Sequence, residues 1–406
     1  MNAPHPSSAA AAATARLAAR GRAARRAARR LGACATAAGV MAGSGCAAFD
    51  TAYRQPPPAP VGRTPSAAAP AAPRVRASPA PARAMAPAAV PEPARRPPVA
   101  STRATVPAPE APESLPPLPV TSQSMIETLA LQVYLDRQGY SCNAIDGRWG
   151  PKTRQALEAW QEDQGLPVTG RPGLDEWRLL GPPGAAIAAH VVTPDDLDGL
   201  ADVPDGWRGK AALAALAHAT ALERLAERHH ASEGLLHSLN PDAAWPNPPA
   251  GASILVPDVG RHGPPPSASR IRISLSRHLI EAFGADGRRI ALFPCSIARD
   301  REKRPVGELR VQVLAPNPNY TFDPALFAED PESASIGGRL IIPPGPNNPV
   351  GTALIGLDRP GYGMHGTPRP EDIGKTQSHG CFRLANWNAE RLLRMVSVGT
   401  PVEVVE

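Results

Sequence analysis

The spacing of hydrophobic and polar positions predicts a small helical region in the middle of the chain. Apolar residues recur with helical spacing over residues 124–139 and stop at a glycine. A turn at Asp146-Gly147 follows, and Pro151 suits the first position of a second helix, where a missing N–H costs nothing. A third, shorter helix is predicted over residues 174–180. The pattern therefore predicts a three-helix bundle at residues 121–183.

Residues 184–262 give a weaker pattern. It predicts one helix from Lys210 to His230 and a second from Glu233 to Asn240, where Asn240-Pro241 ends it. No first strand is clear. Two interpretations stay open for this stretch, a small α/β module and a helical spacer with a closing strand.

Beyond Pro264-Pro265-Pro266 the pattern changes to short strands separated by turn residues. The predicted strands cover residues 271–275, 280–283, 290–295, 309–314, 340–342 and 402–405. Asn386 is predicted to cap a helix from Trp387 to Met395. A mainly-β domain at residues 268–406 is large enough for a core of its own.

The first 120 residues differ from all of this. Residues 47–120 alternate Pro, Ala, Ser and Arg, so they bury too little apolar surface to offset the entropy of ordering, which predicts a disordered tether. Residues 1–46 combine an Arg-rich stretch with an uncharged Ala/Gly-rich run, which is typical of an export signal. The run has too few large apolar residues for a membrane-spanning helix.

The end of this leader offers two alternatives. Gly43-Ser44-Gly45-Cys46 resembles a lipoprotein processing box, in which Cys46 carries a lipid anchor, although Gly43 stands where that family usually has Leu. The other alternative is an ordinary signal peptide cleaved nearby. Both predict an exported protein in the periplasm or cell wall, and lipidation would add outer-membrane anchoring.

The distribution of charge along the chain argues against a nucleic-acid partner. The formal net charge is +6, but residues 1–50 alone hold seven Arg and one Asp. Residues 121–406 hold 28 basic and 33 acidic residues. The part predicted to fold is mildly acidic, whereas nucleic-acid binding needs a basic surface.

One cysteine lies among residues that favour nucleophilic chemistry. Cys142, Cys295 and Cys381 follow the leader, and an odd number in an exported protein implies an unpaired thiol. Cys381 is the last residue of Ser378-His379-Gly380-Cys381, and His365-Gly366 lies shortly upstream. A neighbouring imidazole activates a thiol, and glycine amides can face a developing oxyanion.

Two other interpretations of these residues stay open. One is a structural cysteine, and the other is a zinc site made by His365, His379 and Cys381, whose last two ligands are spaced too closely for a structural zinc knuckle. No acid or Cys stands at ligand spacing from His229, His230 or His237, which are therefore predicted to be surface residues. Cys142 and Cys295 are predicted to be structural, with a disulfide between them left open.

The C-terminal motifs resemble the L,D-transpeptidase (YkuD-type) catalytic signature over residues 270–405. The resemblance implies that Cys381 is the nucleophile and His365 its base, with the Gly366 carbonyl orienting the imidazole. It also implies roles for further residues: Ser378, His379 and Gly380 would shape the site, and Arg383 would hold the anionic substrate or the loop. Tyr362 and Tyr320 are weaker candidates for contact with the substrate. Phe382 departs from the family by replacing an aliphatic residue, and the spacing from His365 to Ser378 is shorter than in some members.

Two further resemblances concern the middle of the chain. Ile145-Asp146-Gly147, Trp149-Gly150, Trp160-Gln161 and Val168-Thr169-Gly170 follow the pattern of peptidoglycan-binding domains over residues 124–181. Leu239-Asn240-Pro241 and Ile254-Leu255-Val256-Pro257 resemble a degenerate LysM module. The motif residues of the first domain are predicted to serve mainly as turn and core.

Together the resemblances imply cysteine-dependent acyl transfer on peptidoglycan, with stem peptides and glycan strands as partners and neither cofactor nor metal. Cys381 would attack the carbonyl of the L-residue before a terminal D-Ala, and the acceptor would be a stem-peptide amine or a protein. Water as acceptor would instead give a carboxypeptidase or release a wall-attached protein. A non-catalytic wall-binding protein is the third alternative.

Overall fold

The structure is a computed structural model that describes residues 123–181, 183–260, 263–327, 330–375 and 380–406. The predictions of an export signal, a lipid anchor at Cys46 and a tether concern residues outside this part. No helix in the described ranges is long and apolar enough to cross a membrane.

The first region consists of three helices, α1 (Gln123–Arg137), α2 (Pro151–Asp163) and α3 (Leu174–Leu180). Gln132 of α1 fixes the turn that joins it to α2. Its Oε1 accepts from the amides of Asp146 and Gly147 at 3.1 and 2.9 Å, and its Nε2 donates to Thr153 at 3.0 Å. The motif residues of this region therefore hold a turn whose Gly147 has a φ of +67°.

The second region has a β-α-α-β order with two additional short helices. In chain order the elements are β1 (Ile187–Val191), α4 (Pro194–Leu197), α5 (Trp207–Ala211), α6 (Ala221–Arg228), α7 (Glu233–Leu239) and β2 (Ser253–Pro257). Strands β1 and β2 pair antiparallel, with Ile187 opposite Pro257.

The prediction of one helix from Lys210 to His230 was wrong. The chain leaves α5 after Ala211 and starts α6 only after Thr220, whose hydroxyl accepts from the Glu223 amide and caps the new helix. The predicted helix at residues 233–240 agrees with α7. Strand β1 was missed because it is short and lacks a clear alternation of burial.

The third region is built on one curled sheet. Its elements are β3 (Arg270–Ser274), β4 (Leu279–Phe283), β5 (Arg289–Pro294), β6 (Gly307–Pro316), β7 (Tyr320–Phe322), β8 (Leu340–Ile342), β9 (Ala353–Leu357), β10 (Gly363–His365), β11 (Phe382–Arg383), α8 (Asn386–Met395) and β12 (Pro401–Val405). Eight strands follow the order β11-β10-β9-β6-β12-β3-β4-β5, and β7 pairs with β8 apart from them. The prediction of a mainly-β C-terminal domain is thus confirmed.

The two ends of this sheet meet. Ser296, just beyond β5, exchanges two backbone hydrogen bonds of 2.9 and 3.1 Å with Arg383 of β11. The sheet therefore closes on itself, and β11 has a partner on each side. Closure fixes the short strand that follows Cys381, because a two-residue strand has too few hydrogen bonds to hold its own position.

Two residues of the sheet extend into the hydrophobic core of the helical part, while most of the sheet packs on a core of its own. Leu279 and Leu292, from β4 and β5, are buried among the apolar residues of α1, α2, α6 and α7. The Leu292 amide donates to the Gly139 carbonyl, and the Leu292 carbonyl accepts from the Ser141 amide, both at 2.9 Å. Residues after α1 thus cover the outer edge of β5, an edge that would otherwise be exposed.

Candidate active site

Two short parallel strands bring Cys381 and His365 together. Strand β10 pairs with β11 so that Met364 lies beside Phe382 and His365 beside Arg383. Extending this register by one residue sets Cys381 beside Gly363. Because strand side chains alternate, Cys381, His365 and Arg383 share one face, whereas Met364 and Phe382 point into the core with 0% and 1% exposure.

His365 is held in one orientation and in its neutral form. It is 6% exposed, and its Nδ1 lies 2.7 Å from the Gly366 carbonyl. A carbonyl only accepts, so Nδ1 carries the proton and Nε2 keeps its lone pair. Burial lowers the pKa of His365 to about 4, and the nearby Arg383 charge adds to the lowering. The imidazole is therefore a free base at neutral pH.

Cys381 is half-buried, and its thiol lies against β10. Its Sγ is 3.7 Å from the Gly361 carbonyl, which the thiol proton faces. Burial of the sulfur raises the pKa of the Cys381 thiol, while the Gly363 backbone and the Arg383 charge oppose the shift. The resting pair is thus a thiol and a neutral imidazole.

Arg383 contributes positive charge to this face. It acts on both Cys381 and His365. Burial lowers the pKa of Arg383, and the nearby Asp372 carboxylate opposes that shift. Tyr362 is 8% exposed, and its ring lies under Arg359 at 4.9 Å. The structure places Tyr362 in the wall beside Gly380. Ser378 and His379 lie outside the described residues.

A second cluster supports the carbonyl that orients His365. A Cβ added to Gly351, which has a φ of +64°, would lie 2.6 Å from the Gly366 carbonyl carbon and 2.0 Å from Asn386 Oδ1. Asn386 donates to the Pro346 carbonyl and to Glu227. The prediction that Asn386 caps α8 was wrong, because Ala385 is the N-cap residue and the Asn386 side chain is used in these contacts.

The chain between His365 and Cys381 is held from the helical region. Asn143 donates to the Pro370 carbonyl at 2.7 Å, and the Lys152 ammonium donates to the Ile373 carbonyl. Burial lowers the pKa of Lys152, and the nearby charge of Lys375 lowers it further. From the sheet side, Ser296 accepts from the Gly374 amide at 2.9 Å. The sequence gives no sign of these contacts.

The remaining cysteines and histidines have other surroundings. Cys142 and Cys295 are buried and unbonded to each other, and Cys295 is 0% exposed. The prediction that His229 and His230 are surface residues was wrong. His230 is half-buried, lies 2.8 Å from Asp136 and stacks on Trp387, and burial lowers the pKa of His229 to about 4. The described residues contain no group of His, Cys, Asp and Glu able to hold a metal.

A cavity of about 80 Å³ lies between α1 and α8, lined by Asp136, His230, Trp387 and Arg391 among others. Neither Cys381 nor His365 lines it. Cys381 and His365 therefore lie outside this cavity, on the face shared by β10 and β11.

Comparison with known proteins agrees with this geometry. Residues 268–404 match the family model described as "L,D-transpeptidase catalytic domain", and residues 126–180 match "Putative peptidoglycan binding domain". A protein of Fuscovulum blasticum named "Putative L,D-transpeptidase in ATP synthase subunits region ORF 5" is 33% identical over 132 residues, covering 32% of this chain and 65% of its own length.

Two further relatives complete the comparison. "Putative L,D-transpeptidase YkuD" of Bacillus licheniformis is 27% identical over 183 residues, covering 45% of this chain and 92% of its own. A crystal structure of the L,D-transpeptidase from Xylanimonas cellulosilytica aligns at 17% identity and a TM-score of 0.30, with 72% of this chain and 99% of that chain covered, which is too distant to compare positions. The two family matches confirm two of the three resemblances, and the chain therefore carries a YkuD-type L,D-transpeptidase catalytic domain preceded by a peptidoglycan-binding domain.

Proposed function

We propose that this protein transfers an acyl group between peptidoglycan stem peptides, with Cys381 as nucleophile and His365 as general base. The observation that carries the proposal is the arrangement on one face of β10 and β11. A thiol lies there beside a buried neutral imidazole whose Nδ1 is fixed 2.7 Å from a backbone carbonyl. A fixed Nδ1–H leaves Nε2 as the atom that takes the proton.

The proposed reaction has two acyl-transfer steps. As Cys381 Sγ attacks the carbonyl of the L-residue before a terminal D-Ala, His365 Nε2 takes the thiol proton. The oxyanion is met by amide donors near Gly380 and Cys381. D-Ala leaves with the proton from His365 and a thioester remains on the sulfur. An acceptor amine then attacks the thioester, gives its proton to His365 and releases the thiol, so the reaction needs neither cofactor nor metal.

The resting protonation states suit this order. Burial disfavours both the thiolate and the imidazolium, so the ion pair is avoided until substrate arrives. Proton transfer and attack then occur together on a desolvated thiol. In the same site Arg383 supplies positive charge for an anionic substrate.

Substrate, location and acceptor are part of the proposal. The peptidoglycan-binding domain at residues 126–180 supports a cell-wall substrate and an extracytoplasmic location. The β-α-α-β order of residues 187–257 supports a LysM-like module that adds contact with glycan strands. The acceptor is a stem-peptide amine for 3-3 cross-linking or an amine of a wall-attached protein. We further propose an exported protein, with Cys46 as its lipid anchor.

Incubation with defined muropeptides tests the proposal. Purified full chain, kept reduced, is mixed with a disaccharide tetrapeptide, and products are identified by mass spectrometry. We expect loss of D-Ala, a thioester at Cys381 and a cross-linked dimer; a free tripeptide would instead show that water resolves the thioester. Cys381→Ala should abolish all products, while Cys142→Ala, which removes a buried thiol elsewhere, should keep them. Unmodified tetrapeptide with the parent protein would leave only a wall-binding role.

A further inference from the structure

A long segment between β6 and β9 leaves and rejoins the sheet beside the catalytic pair. The Asn317 amide donates to the Thr352 carbonyl at 2.6 Å, and the last residue of β6 pairs with the first of β9. At the same edge, Gly366 donates to the Ala353 carbonyl at 3.0 Å, next to His365. We call residues 317–327 and 330–352 the flap.

The flap has its own hydrophobic cluster, separate from the core of the sheet. Phe322 and Ile342 of the flap are 0% exposed, yet they pack with Leu216 of the second region. Val203, Trp207, Ala211 and Leu213 complete this cluster. We call residues 203–216 the clamp, because they supply the apolar surface that buries the flap.

Trp207 lies at the centre of the contact. Its ring stacks on Phe322 at 3.9 Å between centroids and 12° between planes. Its Nε1 donates to Asp330 at 3.1 Å. The stack of half-buried Trp207 on buried Phe322, together with the indole N–H bond, fixes both the distance and the rotation of the flap.

Hydrogen bonds also join the flap to the clamp. The Glu332 carboxylate accepts from the amides of Trp207 and Arg208, at 2.5 and 3.2 Å. Further along, the Leu216 amide donates to the Pro344 carbonyl at 2.8 Å, and its carbonyl accepts from the Asn347 amide at 3.0 Å. Hydrogen bonds therefore join residues 207–216 of the clamp to residues 332–347 of the flap at several points.

The flap also extends toward the catalytic pair. Tyr320, the first residue of β7, packs against this cluster with its ring 6.2 Å from Trp207. Burial raises the pKa of the Tyr320 phenol, and the nearby charge of an ionised Cys381 raises it further. The flap also borders the catalytic histidine, because Gly351 of the flap packs so closely against Gly366 that an added Cβ would lie 2.6 Å from the Gly366 carbonyl carbon.

We propose that Trp207 is a positioning residue for acyl transfer, which fixes the flap beside the catalytic pair and so sets the room for the stem peptide. The inference rests on the proposed function and deepens it. It assigns residues 203–216, outside the catalytic domain, to the control of substrate entry. Trp207 itself touches the flap and not the reacting atoms.

Two readouts on the full chain test this, one of which needs no peptidoglycan. The first is the rate at which iodoacetamide alkylates Cys381, mapped by mass spectrometry, with buried Cys142 and Cys295 as internal references. In Trp207→Ala we expect a rate at least about threefold above that of the parent, because a loosened flap exposes the thiol. The second is steady-state turnover of the disaccharide tetrapeptide, in which kcat/KM should fall by about 10-fold through misplacement of the peptide.

Matched variants separate positioning from general damage. Trp207→Phe keeps an aromatic ring on Phe322 and should stay within about twofold of the parent in both readouts. Glu332→Ala loosens the flap from the other side without a cavity, and it decides the question if Trp207→Ala does not fold. Unchanged alkylation and turnover in folded Trp207→Ala and Glu332→Ala would overturn the inference. A parent protein without thioester would overturn the proposed function alone, since the alkylation ratio still reports on the flap.

Discussion

Arg289 connects the helical region to the sheet, and its removal should be costly. The side chain is 10% exposed. Its Nε lies 2.9 Å from Glu281 Oε1, an ionic contact without hydrogen-bond alignment, and its Nη atoms bond Asp163 at 2.9 Å and Glu162 at 3.0 Å. It also donates to the Ala159 carbonyl. Arg289 is thus the cation between β4, β5 and α2.

The magnitude follows from what Arg289→Met leaves behind. The Glu281 side chain is only 4% exposed, and its remaining cation, Arg277, is 4.0 Å away and 45% exposed. Breaking a buried pair by removing one partner costs roughly 3–5 kcal/mol because the other charge stays buried. Partial compensation by Arg277 favours the lower end. We therefore expect the free energy of unfolding to fall by about 3 kcal/mol.

Urea unfolding of the full chain, followed by tryptophan fluorescence, measures this loss. Arg154→Met is the matched control, because it breaks an exposed α2 pair with Glu158, and it should change stability by about 0.5 kcal/mol or less. Adding Glu281→Leu to Arg289→Met should recover most of the loss, since no charge is then left buried. A loss below about 1 kcal/mol in Arg289→Met, or a double variant as unstable as the sum of both single changes, would show that the Glu281 charge does not depend on Arg289.

Four further predictions concern the site. Gly351→Ala should reduce turnover of soluble muropeptide by at least about 10-fold, because the new methyl group displaces the Gly366 carbonyl that orients the imidazole. Activity equal to the parent would show that the close contact between Gly351 and Gly366 does not matter for catalysis. The kcat/KM profile should stay level as pH falls and decline only near pH 4, where His365 gains its proton; a decline centred near 6.5 would show an ordinary imidazole. The same lowered pKa of His365 makes the free energy of unfolding fall by roughly 3 kcal/mol as pH falls from about 6.5 to 4, because the unfolded chain binds the proton first. His365→Gln should flatten this loss in unfolding curves measured over the same pH range. Lys152→Met should lower kcat through the loosened Ile373 carbonyl while leaving the unfolding transition cooperative; an unchanged kcat would reduce Lys152 to a packing residue.

Sequence predicted best where the pattern is long or the motif is contiguous. The α1 and α2 helices have two or more turns of apolar spacing, and the caps and turns that bound them are local. Strands β3 to β6 alternate or are apolar enough to be recognised. Strands β7, β9, β10 and β11 were missed. Strand β9 is buried throughout and shows no alternation, and the other three have only three, three and two residues.

The sequence alone also predicted the proposed chemistry, since His365-Gly366 and the residues around Cys381 lie within 20 positions and together resemble one catalytic signature. Only the tertiary structure decided what surrounds them. The pairing of β10 with β11 sets the two side chains on one face, Asn386 serves the loop at Pro346 and not its own helix, and Trp207 reaches Phe322 from more than 100 residues away. The difference comes from the distance along the sequence over which each kind of interaction acts. Spacing and turn chemistry act between near neighbours, whereas packing and buried hydrogen bonds join residues that no local pattern relates.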